Sequence, residues 1–281
     1  MLRITELRKS FGSLVAVDGV SLSVARGEVF GLLGPNGAGK STTIGMAIGL
    51  LAPDSGSVEL EGFGSPRDVA ARRHIGVAPQ SLALYDELSG EENLLFFGRI
   101  QGLSGSLLKT RVNTVLEQVG LADRRRDRVA GYSGGMKRRL NLAAAIVHDP
   151  PLLLLDEPTA GVDPQSRNSI LDLVRDMASA GKTVVYTTHY MEEAQKLCNR
   201  IAIIDKGTIL AMGSVDELIH THGGESVVTL KRGEAEENVR TRDPLASLQQ
   251  ALGAGDVTSV RIDRPDLETV FLGLTGRRLR D

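Results

Sequence analysis

The residues that most clearly imply chemistry form a glycine-rich segment at 34–42, which fits the pattern G-x-x-x-x-G-K-[ST]. In this pattern, backbone N–H groups surround a polyphosphate, the lysine reaches its β and γ phosphates, and the next hydroxyl ligates Mg²⁺. The apolar run Val29–Leu33 predicts a buried strand before the segment, and Thr42–Leu51 predicts a helix after it. This order favours a phosphate site over a chance glycine turn, because a helix N-terminus carries partial positive charge. The residues assigned to it are Gly34, Pro35, Asn36, Gly37, Ala38, Gly39, Lys40, Ser41 and Thr42.

Two neighbouring carboxylates follow a second apolar run. The four leucines at 152–155 predict a buried strand, and Asp156 and Glu157 come at its tip. Neighbouring residues on a strand point to opposite sides, so we expect the two carboxylates to have separate roles. Asp156 is predicted to hold Mg²⁺, directly or through water, and Glu157 to orient and deprotonate an attacking water. The alternative is an exposed acidic turn before Pro158.

A histidine and a second glycine pair complete the candidate site. His189 ends the predicted strand 183–188, so it lies at the carboxyl edge of the sheet, where open α/β folds bind ligands. It could donate to a γ-phosphate, although a histidine at a strand end is more often structural. Ser133 is a suitable N-cap, and Gly134 and Gly135 open a helix whose free N–H groups favour a phosphate.

The composition narrows the classes of partner. The 281 residues include 33 Lys and Arg against 35 Asp and Glu, a net charge of −2 that does not indicate a nucleic-acid binder. The single cysteine, Cys198, excludes an internal disulfide and suits a reducing compartment. We expect no N-terminal signal, and no stretch approaches the roughly 20 apolar residues that span a bilayer. A partner must therefore supply any membrane part.

The order of predicted elements indicates an α/β fold. Short strands in residues 1–33 predict an N-terminal antiparallel β subdomain, and alternating strands and helices afterwards predict a P-loop NTPase core with a mostly parallel sheet. A helical insertion is predicted at about 86–150. We therefore expect a nucleotide-binding domain at 1–213 and a small α+β accessory domain at 214–281.

Taken together, these motifs resemble those of the nucleotide-binding subunit of an ATP-binding cassette (ABC) transporter. Segment 34–42 is similar to the family's Walker A motif, LLLLDEPT to its Walker B motif with the catalytic glutamate, and YSGGM to its LSGGQ signature. The resemblance covers about residues 1–213. It also assigns four single residues: Phe11 as the aromatic that stacks on adenine, Gln80 as the Q-loop glutamine, Asp163 in the D-loop AGVDP, and His189 as the switch histidine.

The resemblance implies a complete set of roles. It implies ATP and Mg²⁺ as cofactors, with two such domains meeting head to tail so that each ATP lies between Walker A of one and the signature of the other. A homodimer or paired cassette is thus expected, joined at the cytoplasmic face of the cell membrane by an integral membrane permease whose helix enters a groove at the Q-loop. The implied catalytic residues are Lys40, Gln80, Glu157 and His189, and the implied Mg²⁺ ligands are Ser41, Gln80 and Asp156.

Departures from the family pattern and the closing segment refine this interpretation. Met136 replaces the signature glutamine and cannot make its hydrogen bonds, Tyr132 replaces the leading leucine, and Phe11 replaces the commoner tyrosine. The segment 265–276 is similar to the end of drug-export ABC ATPases of the daunorubicin-resistance type, which favours export. One alternative is a soluble ABC-type ATPase acting on ribosomes or DNA. Another is a P-loop kinase or GTPase, which leaves the Ser-Gly-Gly motif and His189 unexplained.

Overall fold

A computed structural model describes residues 1–253 and 257–277 of the chain. The chain divides into two compact units, Met1–Ala211 and Met212–Asp281. The predicted accessory domain 214–281 includes residues 254–256 and 278–281, which lie outside the described residues. In chain order the elements are β1 (Leu2–Phe11), β2 (Leu14–Val24), β3 (Val29–Leu33), α1 (Lys40–Ala47), β4 (Ser55–Leu60), α2 (Val69–Arg72), β5 (Ile75–Ala78), α3 (Gly90–Ile100), α4 (Gly105–Gln118), α5 (Gly134–Ile146), β6 (Leu152–Asp156), α6 (Pro164–Ser179), β7 (Thr183–Thr188), α7 (Met191–Leu197), β8 (Arg200–Asp205), β9 (Thr208–Gly213), α8 (Val215–His222), β10 (Ser226–Arg232), β11 (Ala235–Thr241), α9 (Pro244–Gly253), β12 (Ser259–Asp263) and α10 (Leu267–Thr275).

A six-stranded sheet in the order β5-β6-β7-β3-β8-β9 forms the centre of the first unit. The pairs β5–β6, β6–β7, β7–β3 and β3–β8 are all parallel, as the alternation of strands and helices predicts. Every residue of β3, β6 and β7 is buried, which agrees with the rule that parallel strands are covered on both faces. In the register, Leu33 pairs with Thr188 and Asp156 with Thr187, so the carboxyl ends of these three strands lie level.

The N-terminal segment forms a three-stranded antiparallel sheet in the order β2-β1-β4, as predicted. Its strands are longer than the sequence pattern predicts. The pattern predicts short strands at 14–17 and 20–24, where β2 runs unbroken, and a short strand at 2–4, where β1 continues to Phe11. The pairing register shifts between Leu7 and Lys9, and opposite this irregularity Gly19 has φ +69°. Because β1 pairs with a strand on each side, its polar residues lie in the sheet even though the local sequence pattern does not predict a strand there.

Three α-helices lie between β5 and β6, as predicted; α3 starts at Gly90 and α4 at Gly105, where the sequence pattern predicts starts at Leu88 and Leu107. Helix α3 begins at Gly90 because Ser89 is its N-cap, and Ser89 and Glu92 form a capping box. Helix α5 begins directly after its N-cap, Ser133. Several leucines and valines on these helices are buried and form the apolar core of the insertion; they are Leu94, Leu108, Val112, Val115, Leu116 and Leu140.

The second unit contains an antiparallel sheet in the order β11-β10-β12, packed against α9 around Val228, Leu230 and Ala251. The sequence pattern predicts strands at 226–230 and 258–262 and helices near 245–252 and from Pro265, and β10, β12, α9 and α10 lie close to these positions. Strand β11 is absent from the sequence-based prediction because most of its side chains are charged or polar and exposed. None of the helices in the described parts of the chain combines the length and apolar character that crossing a bilayer requires.

The glycine at position 76 of β5 leads to a stability prediction. A Cβ atom at this position would lie 2.3 Å from the backbone oxygen of Ala145 and 2.7 Å from Leu153 Cδ2. Backbone cannot move aside cheaply, so we expect Gly76→Ala to lower the free energy of unfolding by on the order of 2 kcal/mol, measured by urea titration. Gly131→Ala is the control because its Cβ would meet no atom within 4 Å. Equal stability of the two variants would contradict the prediction.

Candidate functional site

The phosphate-loop segment 34–42 connects β3 to α1, as predicted. Two of its glycines are required by close approach: a Cβ on Gly34 would lie 2.2 Å from the backbone oxygen of Ile204, and one on Gly39 would lie 2.5 Å from that of Ala16. Gly39 is also the N-cap of α1 with φ +102°. Helix α1 starts at Lys40 rather than Thr42, and with glycine as its cap its first backbone N–H groups are available to an anion.

Lys40 reaches from the start of α1 to the tip of β6. Its side chain is only 4% exposed. The Nζ atom donates to the backbone oxygens of Gly34 at 2.8 Å and Pro35 at 3.1 Å, and it lies 2.9 Å from Glu157 Oε1. A buried ammonium is tolerated only when it is paired and hydrogen-bonded, and this lysine is both. The loop and the end of β6 are thus held together by one buried cation.

The two candidate carboxylates occupy different environments, but not because they alternate along a strand. Strand β6 ends at Asp156, and Glu157 turns into the left-handed region with φ +46°. The Glu157 N–H donates to Thr187 Oγ1 at 2.9 Å, and that hydroxyl donates to Asp156 Oδ1 at 2.6 Å. Thr187 on the neighbouring strand β7 therefore fixes both acids, and the prediction from a continuous strand was wrong in its geometry.

The remaining candidates for catalysis meet at the Glu157 carboxylate. His189 Nδ1 lies 3.1 Å from Glu157 Oε2, and it donates to that oxygen in the tautomer that carries the proton on Nδ1. Gln80 Nε2 donates to the same oxygen at 3.4 Å. Including Lys40, three side chains from separate elements converge on Glu157. They are brought together by the level carboxyl ends of parallel strands.

The signature and D-loop residues cap two helices. Ser133 Oγ accepts from the Met136 N–H at 3.2 Å at the start of α5, and Asp163 accepts from the Ser166 N–H at 2.9 Å at the start of α6. That N–H holds the pKa of Asp163 below its ordinary value. Ser133 and Gly134 are exposed. Within residues 1–253 and 257–277, no hydrogen bond joins Ser133–Gly135 or Asp163 to segment 34–42 or to Glu157.

Phe11 is an exposed aromatic residue at the turn between β1 and β2. Its ring is 48% exposed, and Lys9 Nζ lies 5.7 Å from the ring centroid. Strand β2 approaches the phosphate loop farther along, where Ala16 lies against Gly39. The chain therefore carries a stackable ring on the same strand pair that contacts the loop, and a planar base could pack on it.

The residues assigned to Mg²⁺ fit that ion. Ser41 offers a hydroxyl, Asp156 a carboxylate and Gln80 an amide carbonyl, all of them the hard oxygen ligands that Mg²⁺ prefers. The described parts of the chain contain no group of three or more His, Cys, Asp or Glu residues placed to hold a metal. One carboxylate with a hydroxyl suits an ion that takes its other ligands from phosphates and water.

Helix α5 holds the Q-loop through residues that the sequence-based assignment omitted. Arg138 Nη1 donates to the backbone oxygen of Gln80. Asn141 Nδ2 donates to Pro79 O at 3.2 Å, and its Oδ1 accepts from the Ala83 N–H at 3.2 Å. Burial lowers the pKa of the Arg138 guanidinium, and the charge of Glu157 acts in the opposite direction. The contacting residues are about sixty positions apart, so no local pattern could have identified them.

The comparisons with known proteins establish the family. The sequence profile described as "ABC transporter" matches residues 17–160, more than half of the chain. The chain therefore belongs to the ABC transporter family, and it is an ATP-binding cassette that hydrolyses ATP. The resemblance seen in the motifs and the predicted α/β fold are both confirmed.

Two relatives match along the whole chain. The linearmycin resistance ATP-binding protein of Bacillus subtilis is 41% identical, and the match covers 100% of both chains. The Nod factor export ATP-binding protein I of Cupriavidus metallidurans is 43% identical, covering 100% of this chain and 99% of the relative. Full coverage means that the second unit, as well as the cassette, has a counterpart in these proteins.

Solved structures support the same fold. The ATP-binding subunit of an ABC transporter has a TM-score of 0.72 at 31% identity, covering 79% of this chain and 93% of that one. A dimeric ATP-binding cassette in a post-hydrolysis state, bound to ADP and Pi, has a TM-score of 0.68 at 27% identity, covering 76% and 98%. Both are similar to this chain over the length of a cassette.

The contact between the signature and α6 gives a prediction. A Cβ on Gly135 would lie 2.1 Å from Ser166 Oγ and 2.6 Å from Ser166 Cβ. We expect Gly135→Ala to lower the free energy of unfolding by about 1–3 kcal/mol, and Ser166→Gly to restore part of it by removing the obstructing atoms. Urea titration of the single and double variants measures both effects. Gly134→Ala is the control, because its Cβ meets open space. If Gly134→Ala lowers the free energy of unfolding as much as Gly135→Ala does, the clash with Ser166 is not the cause of the loss.

Proposed function

We propose that two copies of this chain close on two ATP molecules and that their hydrolysis powers export through a separate membrane permease. The observation that carries the catalytic part is the convergence of Lys40, Gln80 and His189 on the Glu157 carboxylate. In this assignment Glu157 is the general base for the attacking water. Lys40 binds the β and γ phosphates, and His189 donates to the γ-phosphate.

Mg²⁺ is proposed to be held by Ser41, Asp156 and Gln80, and it would neutralise phosphate charge when bound. The protein's own contribution is the arrangement around it. Thr187 fixes Asp156 and the Glu157 backbone, and α5 holds the Q-loop through Arg138 and Asn141. These contacts support a site in which the groups are placed before the substrate arrives, which lowers the cost of reorganisation during the reaction.

The need for a second copy follows from the placement of the signature. Ser133 and Gly134 are exposed at the N-terminus of α5, a suitable anion site, yet no hydrogen bond joins them to the phosphate loop in the described parts of the same chain. A second copy placed head to tail could bring them to the nucleotide. The similarity to a dimeric cassette bound to ADP and Pi supports this arrangement.

A groove in the first unit supports the proposed contact with a permease. A cavity of about 570 Å³ lies between the end of α1, α2, β5 and the end of α3. Its rim carries Leu50, which is 76% exposed, Val69 at 64% and Ile100 at 63%, beside Arg72 and Arg73. Large apolar side chains exposed together mark an interaction site. We propose that it receives a permease helix with an apolar face and an acidic residue.

The names of the relatives support export as the direction. One is named for linearmycin resistance and one for Nod factor export, and both match over the full length of this chain. We therefore propose that the permease moves its substrate outward from the cytoplasmic side. The choice of molecule belongs to the permease rather than to this chain.

The catalytic assignment is tested by Glu157→Gln. The amide keeps the shape of the side chain but cannot accept a proton from water, so we expect steady-state ATP hydrolysis to fall by at least about 10²-fold. ATP binding should persist. The variant should accumulate as an ATP-bound dimer in analytical ultracentrifugation, whereas the wild type should return to monomers. Wild-type hydrolysis by Glu157→Gln, or no dimer with ATP, would overturn the proposal.

The groove is tested by Leu50→Asp. Because Leu50 is 76% exposed, we expect folding and the hydrolysis rate of the isolated chain to stay within about twofold of wild type. Co-purification with the membrane protein that accompanies the tagged wild-type chain should be lost. Leu107→Asp is the matched control, since Leu107 is 57% exposed but lies outside the groove. If both variants retain the membrane protein equally, the groove is not its docking site.

A further inference from the structure

A second buried carboxylate lies behind the site, and the reaction as described does not use it. Glu193, on α7, has a side chain that is 2% exposed. Its Oε1 accepts from Thr159 Oγ1 at 2.8 Å, and its Oε2 accepts from Tyr186 OH at 2.9 Å and Thr188 Oγ1 at 2.8 Å. Three hydroxyls from two separate segments of the chain therefore converge on one anion.

Two of these donors lie close in sequence to the proposed catalytic residues. Thr159 follows Glu157 by two residues, and Thr188 directly precedes His189. The Thr188 hydroxyl also accepts from the Tyr190 N–H at 2.9 Å, so it holds the backbone on both sides of His189. Glu193 thus joins the loop that carries the proposed base to the loop that carries the proposed switch histidine.

A third segment joins the same cluster through a cation. Arg167, in the first turns of α6, places its Nε 3.5 Å from Glu193 Oε1, and its guanidinium carbon lies 4.2 Å from the centre of the Tyr190 ring. The N-cap of α6 is Asp163 of the D-loop. The D-loop helix is therefore tied, through one arginine, to both the carboxylate and the residue after His189.

The chemistry of the cluster suits a fixed support. A buried carboxylate is stable when charge-assisted hydrogen bonds and a cation compensate for lost hydration, and hydroxyl donors provide strong bonds of this kind. Burial, with the Glu193 charge, raises the pKa of Tyr186 well above its ordinary value, so that phenol remains a donor. Removing the negative charge of Glu193 would weaken its hydrogen bonds to the hydroxyl donors of both loops at the same time.

We propose that Glu193 is a positioning residue that sets the distance between Glu157 and His189 without touching the nucleotide. This inference rests on the catalytic roles proposed for those two residues. Reacting groups misplaced by about 1 Å can cost about 10²-fold in rate. Loosening the cluster should therefore lower kcat while leaving the affinity for ATP, which depends on segment 34–42, nearly unchanged.

The test compares Glu193→Gln with Glu28→Gln in the full-length chain. Glu28 is also buried, accepts from the Ala25 N–H at 2.6 Å and pairs with Arg200 at 3.2 Å, but it precedes β3 at the opposite edge of the sheet. We expect kcat for ATP to fall 10- to 100-fold in Glu193→Gln with KM within about twofold. Glu28→Gln should keep both constants within about twofold, whatever its loss of thermal stability.

Thr159→Val and Thr188→Val give a second measurement that does not depend on Glu193→Gln folding. Each removes one donor while keeping the shape of the side chain, and each should lower kcat by several fold. Combined with Glu193→Gln, neither should lower kcat further, because the residues act as one unit. Wild-type kcat in all three single variants, additive losses, or an equal loss in Glu28→Gln would overturn the inference.

Glu157→Gln in the same assay separates this inference from the proposed function. If Glu157→Gln hydrolyses ATP at the wild-type rate, the catalytic assignment itself fails and the inference fails with it. If Glu157→Gln loses turnover while Glu193→Gln does not, only the positioning role is wrong.

Discussion

The site depends on the buried ionic contact between Lys40 and Glu157, whose charged atoms lie 2.9 Å apart with both side chains almost entirely removed from solvent. Charges buried to this degree require partners of opposite charge, and here the ammonium and the carboxylate are each other's partner. The lysine belongs to the helix that follows the phosphate loop, and the glutamate to the turn after β6. Their contact joins the segment proposed to bind the phosphates to the residue proposed as the general base.

That contact is possible because several backbone constraints agree. The level carboxyl ends of β3, β6 and β7 place the loop and both acids at one edge of the sheet. Glycines at 34 and 39 allow the loop to approach the backbone of neighbouring strands. Thr187 holds Glu157 in its left-handed turn, a conformation that is strained for a side chain of this kind. The hydrogen bond from the Glu157 N–H to the Thr187 hydroxyl stabilises this conformation, in keeping with the catalytic role proposed for Glu157.

Much of this architecture could be predicted from the sequence, because the motifs coincide with local signals. Glycine spacing, apolar runs and capping residues identified the loop, the buried strands and the insertion helices. Local pattern was insufficient where pairing decided the outcome. Strand β11 is polar yet completes a sheet, and β2 continues through Gly19 where the apolar alternation breaks. Residue spacing in the sequence could not predict that Glu193 contacts two loops or that Arg138 contacts the Q-loop, because these contacts are created only by the tertiary fold.

The central claim is that ATP is bound between two copies of the chain, each contributing residues that the other lacks at that nucleotide. A crystal structure of the Glu157→Gln chain with ATP and Mg²⁺ tests it most directly. The account predicts Ser133 Oγ of one copy within about 3 Å of a γ-phosphate bound at Lys40 of the other, a normal hydrogen-bond distance. A structure in which every ATP contacts a single chain, with Ser133 facing solvent, would contradict it.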